Sequence, residues 1–287
     1  MSSDLEGRGA VGWAAESWAA ESWAARPGLC SVTLRRKSAS EVIAIAAAAG
    51  LHSIEWGADV HAPPGDPSSA ADRARLVELG DLTRASGLRV ASLGSYWRAG
   101  VTPLPDLVAA VSSATALAAP RVRVWAGEVG TAEADDALWD KVVHDLRVAS
   151  RHAADHGVEL SLEFHPDTLT DSVESTIELL ERVGSSNLRT HWQPRLDEEV
   201  EASVAGLERL LPWLSAVHVF SWWPGAHRLP LSDRAHLWSA ALDLLMRSVP
   251  PCDLLLEFVE QDDVQALDRD ARTLRTLLSA RHPQEVN

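Results

Sequence analysis

From Pro27 onward the chain alternates short apolar runs with longer stretches in which Ala and Leu return at helical spacing. The short runs predict strands over Leu29–Leu34, His52–Trp56, Arg89–Leu93, Arg121–Trp125, Glu159–Phe164, Leu188–Trp192, Ser215–Phe220 and Asp253–Phe258. The longer stretches predict helices over Ser40–Ala49, Ala71–Ser86, Leu104–Ala118, Ala137–His156, Ser172–Val183, Val200–Leu211, Ala235–Met246 and Val264–Ser279. Several of these helices run into a glycine, at Gly50, Gly87, Gly157 and Gly184, the residue that most easily makes a left-handed turn before the next strand. Eight strand–helix units predict a closed (β/α)8 TIM barrel, an α/β fold whose usual size is roughly 250 residues. The competing open, doubly wound sheet would carry a glycine-rich phosphate turn after the first strand, and Thr33-Leu34-Arg35-Arg36 is not one.

The N-terminal stretch breaks this pattern. Trp13–Ala25 reads WAAESWAAESWAA, with tryptophan at 13, 18 and 23. A period of five matches neither helix nor strand, so the three indoles cannot share one face. Residues 1–27 are therefore set aside as a low-complexity extension, either a frayed end or a docking arm for another subunit of a homo-oligomer. Residues 28–287 are read as one barrel domain.

Composition narrows the partners. The 287 residues include 41 Asp plus Glu against 26 Lys plus Arg, a net charge of −15. That balance disfavours nucleic acid, whose phosphates need a positive surface. No run approaches the roughly 18 apolar residues of a membrane span, and the N-terminus lacks the basic flank and apolar segment of an export signal. Cys30 and Cys252 stand alone in apolar surroundings without metal-type spacing, so neither a disulfide framework nor a zinc ribbon is expected. Together these features predict a cytoplasmic protein with neither membrane nor nucleic acid as partner.

In such a barrel the reacting groups stand at the C-terminal ends of the strands. There the chain offers Glu55 and Trp56 with His61 beyond them, Tyr96 and Trp97, Arg123 and Trp125, and Glu163 with His165. The later strands add His191, Trp192 and Gln193, then His218 followed by Trp222 and Trp223, and finally Glu257. The tripeptide Leu-Glu-Phe occurs at 162–164 and again at 256–258, each time setting one carboxylate in an apolar strand. A buried carboxylate costs several kcal/mol unless it is paired or coordinates a cation. Salt bridges to Arg123 or Arg228 would meet that need, as would a metal; His218 on the same rim favours the metal. The indoles at five strand ends predict a dry aromatic wall, with loop packing as the competing use of each.

These residues resemble the xylose isomerase-like TIM barrels, a family of sugar-phosphate isomerases and epimerases. The resemblance runs from residue 28 to about 280, through Ile54-Glu55-Trp56-Gly57 with His61 and Pro63-Pro64-Gly65-Asp66, Leu162–His165, Val217–Val219 and Leu256–Phe258. It implies one divalent cation, Mn²⁺, Mg²⁺, Co²⁺ or Zn²⁺, held by Glu163, Gln193, His218 and Glu257. Gln193 is a departure, since the family has an aspartate there followed three residues later by histidine, whereas here Pro194, Arg195 and Leu196 follow. An amide oxygen still binds a hard cation but removes one negative charge. The implied reaction is proton transfer next to a carbonyl of a small carbohydrate through a metal-stabilised enediolate, with Glu163 and Glu257 as catalytic acid and base. The implied substrate contacts are His61, Trp125, His165, Trp192, Trp222 and Arg228, with His165 either on a substrate oxygen or orienting Glu163.

Three other functions use similar parts. A DNA-repair endonuclease of the superfamily needs a histidine-rich cluster that Tyr96, Trp97 and the absent histidine after strand six do not supply. A lyase dehydrating an inosose-type ketone would use the same metal and glutamates. A non-catalytic sugar-binding barrel would have Gln193 as the mark of a decayed metal site.

Overall fold

The computed structural model describes residues 26–250 and 252–281. The Trp13–Ala25 repeat lies outside the described residues. Eight parallel strands pair in chain order and close on themselves: β1 (Arg26–Cys30), β2 (Ser53–Gly57), β3 (Arg89–Ala99), β4 (Arg121–Ala126), β5 (Glu159–Glu163), β6 (Leu188–Trp192), β7 (Leu214–Val219) and β8 (Asp253–Leu256). Closure is made where β8 returns to β1, with Gly28 opposite Leu255 and Leu29 opposite Leu256. One helix follows each strand: α1 (Ala39–Ala48), α2 (Ala70–Ala85), α3 (Leu104–Leu117), α4 (Asp136–Asp155), α5 (Val173–Val183), α6 (Val200–Leu210), α7 (Ala235–Ser248) and α8 (Val264–Ser279). The chain is thus the (β/α)8 barrel that the spacing predicts.

Helix starts are written in polar side chains. Ser38 accepts from the Glu41 N–H while the Glu41 carboxylate accepts from the Ser38 N–H, a reciprocal cap on α1. Asp135, Ser172 and Asp263 cap α4, α5 and α8 in the one-way form. Gly50, Gly87, Gly157 and Gly184 all adopt positive φ after their helices, as the sequence predicts.

Two strands depart from expectation. The first ends at Cys30, four residues early, and Ser31–Leu34 form a 3₁₀ turn. There the Ser31 hydroxyl takes the Gly57 N–H at 2.8 Å and faces His61, so a side chain replaces further ladder pairing. The strand also starts at Arg26, inside the segment set aside as an extension. The third strand runs on to Ala99, because after an irregularity Arg98 and Ala99 pair with Trp125 and Ala126 of β4.

The core has two parts. A large cluster lies between strands and helices, and a small one of Cys30, Val32, Ala91, Ala216 and Leu255 is separate from it. The N-terminal end of the barrel is tied by Asp253, fully buried, which accepts from Ser53 at 3.0 Å and Arg121 at 3.0 Å and faces Arg89 at 3.4 Å. Cys30 and Cys252 are both buried and free. Among the described residues no helix is long and apolar enough to cross a membrane.

Candidate metal centre

Side chains two apart on a strand share a face, and this parity decides what reaches the barrel mouth. Arg123 and Trp125 of β4, Ser161 and Glu163 of β5, His191 of β6 with Gln193 just beyond, His218 of β7, and Glu257 just past β8 all fall on the inward face. Neighbours inside the strands fall outward. Trp192 is 1 % exposed and meets Trp238 of α7 edge-on at 6.2 Å, and Trp56 gives its N–H to Thr83 of α2.

The inward groups converge on His218. Its Nδ1 lies 2.9 Å from Gln193 Oε1, 3.3 Å from Glu257 Oε2 and 3.7 Å from Glu163 Oε1. Oxygens of Gln193, Glu257 and Glu163 thus all face one nitrogen of His218. Glu163 is held from its other side, where Arg123 and the Trp125 indole N–H both donate to Oε2, leaving Oε1 toward His218. Below them Glu55 accepts from Ser92 at 2.6 Å and from Arg123 at 3.1 Å, and faces His191 Nε2 at 3.5 Å and His218 Nε2 at 3.8 Å. Cys30, His218 and Glu257 bring ligand atoms within 4.8 Å of one another, and so do Glu55, His191 and His218.

Charge settles whether this donor set suits a cation. Glu55, Glu163 and Glu257 are buried carboxylates, and Arg123 is the buried guanidinium among them. The group is short of positive charge by two, the charge of one divalent cation. Burial alone would lower His218, yet Glu257, Glu55 and Glu163 push it up to about 9. Burial pushes Glu257 up to about 7, with Glu163 adding to the effect against His218. Burial works against Glu163 and Glu55 as well, but Arg123 foremost holds both below the ordinary carboxylate range. His191 goes the other way, driven down to about 4 by burial.

Above the donors opens a cavity of about 400 Å³ with Glu163, Gln193 and Glu257 at its base and Phe164, Phe220, Trp222 and Phe258 in its wall. Glu133, Asp167 and Arg195 supply polar groups around it, and His165 lines it while stacking on Trp125 at 5.1 Å. Phe258 has φ 45°, a left-handed backbone unusual for a bulky residue, and its N–H is tied to Thr33 Oγ1 at 2.8 Å. This strained link fixes the direction in which the chain leaves Glu257.

Of the six expected substrate contacts, His165 and Trp222 line the cavity. Trp125 instead lies against Glu163, with the Arg98 guanidinium 4.0 Å from its ring. Three others are not in the cavity's lining. Trp192 points outward by strand parity. His61 is engaged by Ser31 Oγ and the Lys37 carbonyl, each at 3.0 Å, below the loop. Arg228 pairs with Asp262 at 2.6 Å and covers Trp222 and Phe258 from behind. Sequence reasoning placed Glu55 and His191 among the strand-end candidates but in neither the expected ligand set nor the catalytic pair. The signal was present, since Ile54-Glu55-Trp56 repeats the apolar–glutamate–aromatic pattern of the two Leu-Glu-Phe tripeptides.

Comparison with known proteins agrees with this architecture. The family described as xylose isomerase-like TIM barrel matches residues 43–195. A 3-dehydroshikimate dehydratase from Bacillus anthracis is 31% identical over 104 residues, 34% of this chain, and the match spans only 35% of that relative. Among solved structures, the probable 3-DHS dehydratase AsbF from Bacillus anthracis superposes with a TM-score of 0.68 at 20% identity, covering 90% of this chain and 100% of that one. An L-ribulose 3-epimerase superposes with a TM-score of 0.66 at 16% identity, over 91% of this chain and 100% of the other.

Proposed function

This chain belongs to the xylose isomerase-like TIM barrel family, and from that premise we propose that it is a divalent-cation-dependent isomerase or epimerase, moving a proton at a carbon next to the carbonyl of a small polyhydroxylated ketone. The observation that carries the reading is the convergence of Glu163, Gln193 and Glu257 oxygens on one nitrogen of His218 at the floor of an aromatic-walled cavity. Mixed oxygen and imidazole donors suit Mn²⁺, Mg²⁺, Co²⁺ or Zn²⁺. A cation held there would supply Lewis-acid polarisation of the substrate carbonyl.

The protein groups supply the proton movements. Arg123 and Trp125 keep Glu163 ionised and fixed, the state a general base needs. Glu257, just past β8 on the other side of His218, serves as its counterpart and returns the proton. The two glutamates come from β5 and β8, so a ketone between them can lose a proton to one and regain it from the other. Trp222 with Phe220 and Phe258 offers ring faces to the sugar C–H groups and excludes water.

Metal analysis of the purified protein, together with deuterium uptake from D₂O into a panel of ketoses and inosose-type ketones, tests the proposal. Glu163→Gln and Glu257→Gln should each lower turnover by about 10²–10⁴-fold with the melting temperature retained. Near-normal activity in either variant removes that glutamate from the chemistry.

A second reading is favoured by the match to the 3-dehydroshikimate dehydratase. The same base would take the proton next to the carbonyl, and the acid would protonate a hydroxyl on the neighbouring carbon, which leaves as water to give a conjugated ketone. Growth of enone absorbance without deuterium in recovered substrate would select dehydration over epimerisation.

A further inference from the structure

We propose that Glu55 is a positioning residue for the cation site: its carboxylate accepts the Nε2–H of His218 and so holds the ring with Nδ1 toward Glu163, Gln193 and Glu257. The inference rests on the cation reading given above. His218 is fully buried, and its two nitrogens face two different sets of oxygens. Without a cation, Nδ1 lies 2.9 Å from Gln193 Oε1, an atom that only accepts, so Nδ1 carries a proton. A cation bound at Nδ1 requires the lone pair there, and the ring proton must then sit on Nε2.

That Nε2 atom is buried and has no hydrogen-bond partner. The group facing it is Glu55 Oε1, at 3.8 Å, beyond hydrogen-bond length. A cation at Nδ1 would therefore replace the proton there and leave the ring proton on Nε2, drawing the ring and Glu55 together. Glu55 is well placed to anchor the ring because Ser92 at 2.6 Å and Arg123 at 3.1 Å already fix it. Arg123 also reaches Glu163, so one carboxylate orients His218 directly and Glu163 through the guanidinium.

The competing use of the same atoms is a second cation between Glu55, His191 and His218, whose ligand atoms lie within 4.8 Å of one another. Buried charge argues against it. One divalent cation already balances the three carboxylates and Arg123, and a second would leave two uncompensated positive charges where His191 and His218 are fully buried.

The test uses the full chain. In wild-type protein labelled with ¹⁵N-histidine and loaded with Mg²⁺ or Zn²⁺, long-range ¹H–¹⁵N correlation should find His218 protonated at Nε2, its signals identified by their loss in His218→Asn. By calorimetry, Glu55→Gln should weaken Mn²⁺ binding by about 10–100-fold and Glu55→Asp should recover part of the loss. A loaded His218 protonated at Nδ1, two cations per chain, or a folded Glu55→Gln with wild-type Mn²⁺ affinity would each overturn the proposal. Should Glu55→Gln fail to fold, the wild-type ring tautomer and stoichiometry decide it alone. Wild-type protein that binds none of these cations overturns the underlying cation reading, a result distinct from a cation bound without help from Glu55.

Discussion

Gln193 is the residue at which the chain leaves its family's pattern, and its amide oxygen points at His218 beside two carboxylates. Charge count is a main determinant of hard-cation affinity. Gln193→Asp should therefore tighten Mn²⁺ binding by about tenfold, the shorter side chain limiting the gain, since each tenfold is about 1.4 kcal/mol. Titration calorimetry of both forms checks this, and unchanged affinity would mean that the amide does not reach the cation. At this scale the site was legible where a polar residue interrupts an apolar strand, as at Glu163, His218 and Glu257. It was illegible where direction mattered. Trp192 and Gln193 are adjacent, and only the parity of a strand whose register is set by its neighbours sends one out to Trp238 and the other in to His218.

Elements were read more easily than side-chain directions because their ends carry local chemistry. Ser38 with Glu41, and the glycines after α1, α2, α4 and α5, act within a turn of sequence and need no tertiary information. The first strand was misplaced because Ser31–Leu34 alternate polar and apolar residues as a strand does, yet are all buried in a turn. Helix packing makes a further demand at Gly80, in the middle of α2. A Cβ there would lie 2.5 Å from the Leu117 carbonyl at the end of α3. In an exposed helix Gly→Ala gains about 1 kcal/mol. Here the overlap with backbone should reverse the sign, and Gly80→Ala is expected to destabilise by about 1–2 kcal/mol, the usual range for overpacking. Urea denaturation measures it, and a stabilised variant would show that α2 and α3 separate easily.

Across the whole molecule the two ends of the barrel are built differently. At one end Asp253 is paired with two guanidiniums, Arg89 and Arg121, while the other end is short of positive charge. Without a cation, protons fill part of that shortage: His218 rises from 6.5 to about 9, and Glu257 from 4.5 to about 7. A group raised in the folded state stabilises fully below its unfolded value and loses that contribution as pH climbs through the folded one. Glu55 and Glu163, held low, are already ionised across this window. The cation-free protein should thus melt at falling temperatures from about pH 6.5 to 9, and Mn²⁺, which displaces the His218 proton, should restore more at pH 9 than at pH 6.5. Melting curves with chelator and with Mn²⁺ across that range check it. A chelated protein whose melting temperature stays flat would contradict the charge assignment.

The proposed donors sit on or next to strands, whereas much of the wall above them comes from the segments after β5, β6, β7 and β8, including Asp167, Arg195, Trp222 and Phe258. The consequence is evolutionary. Those segments can be exchanged or lengthened between relatives without disturbing the ladder that aims the glutamates. Descendants of one ancestral barrel can then diverge in the molecules they accept while inheriting the same reactive floor, so substrate preference is the trait on which selection can act at least risk to folding.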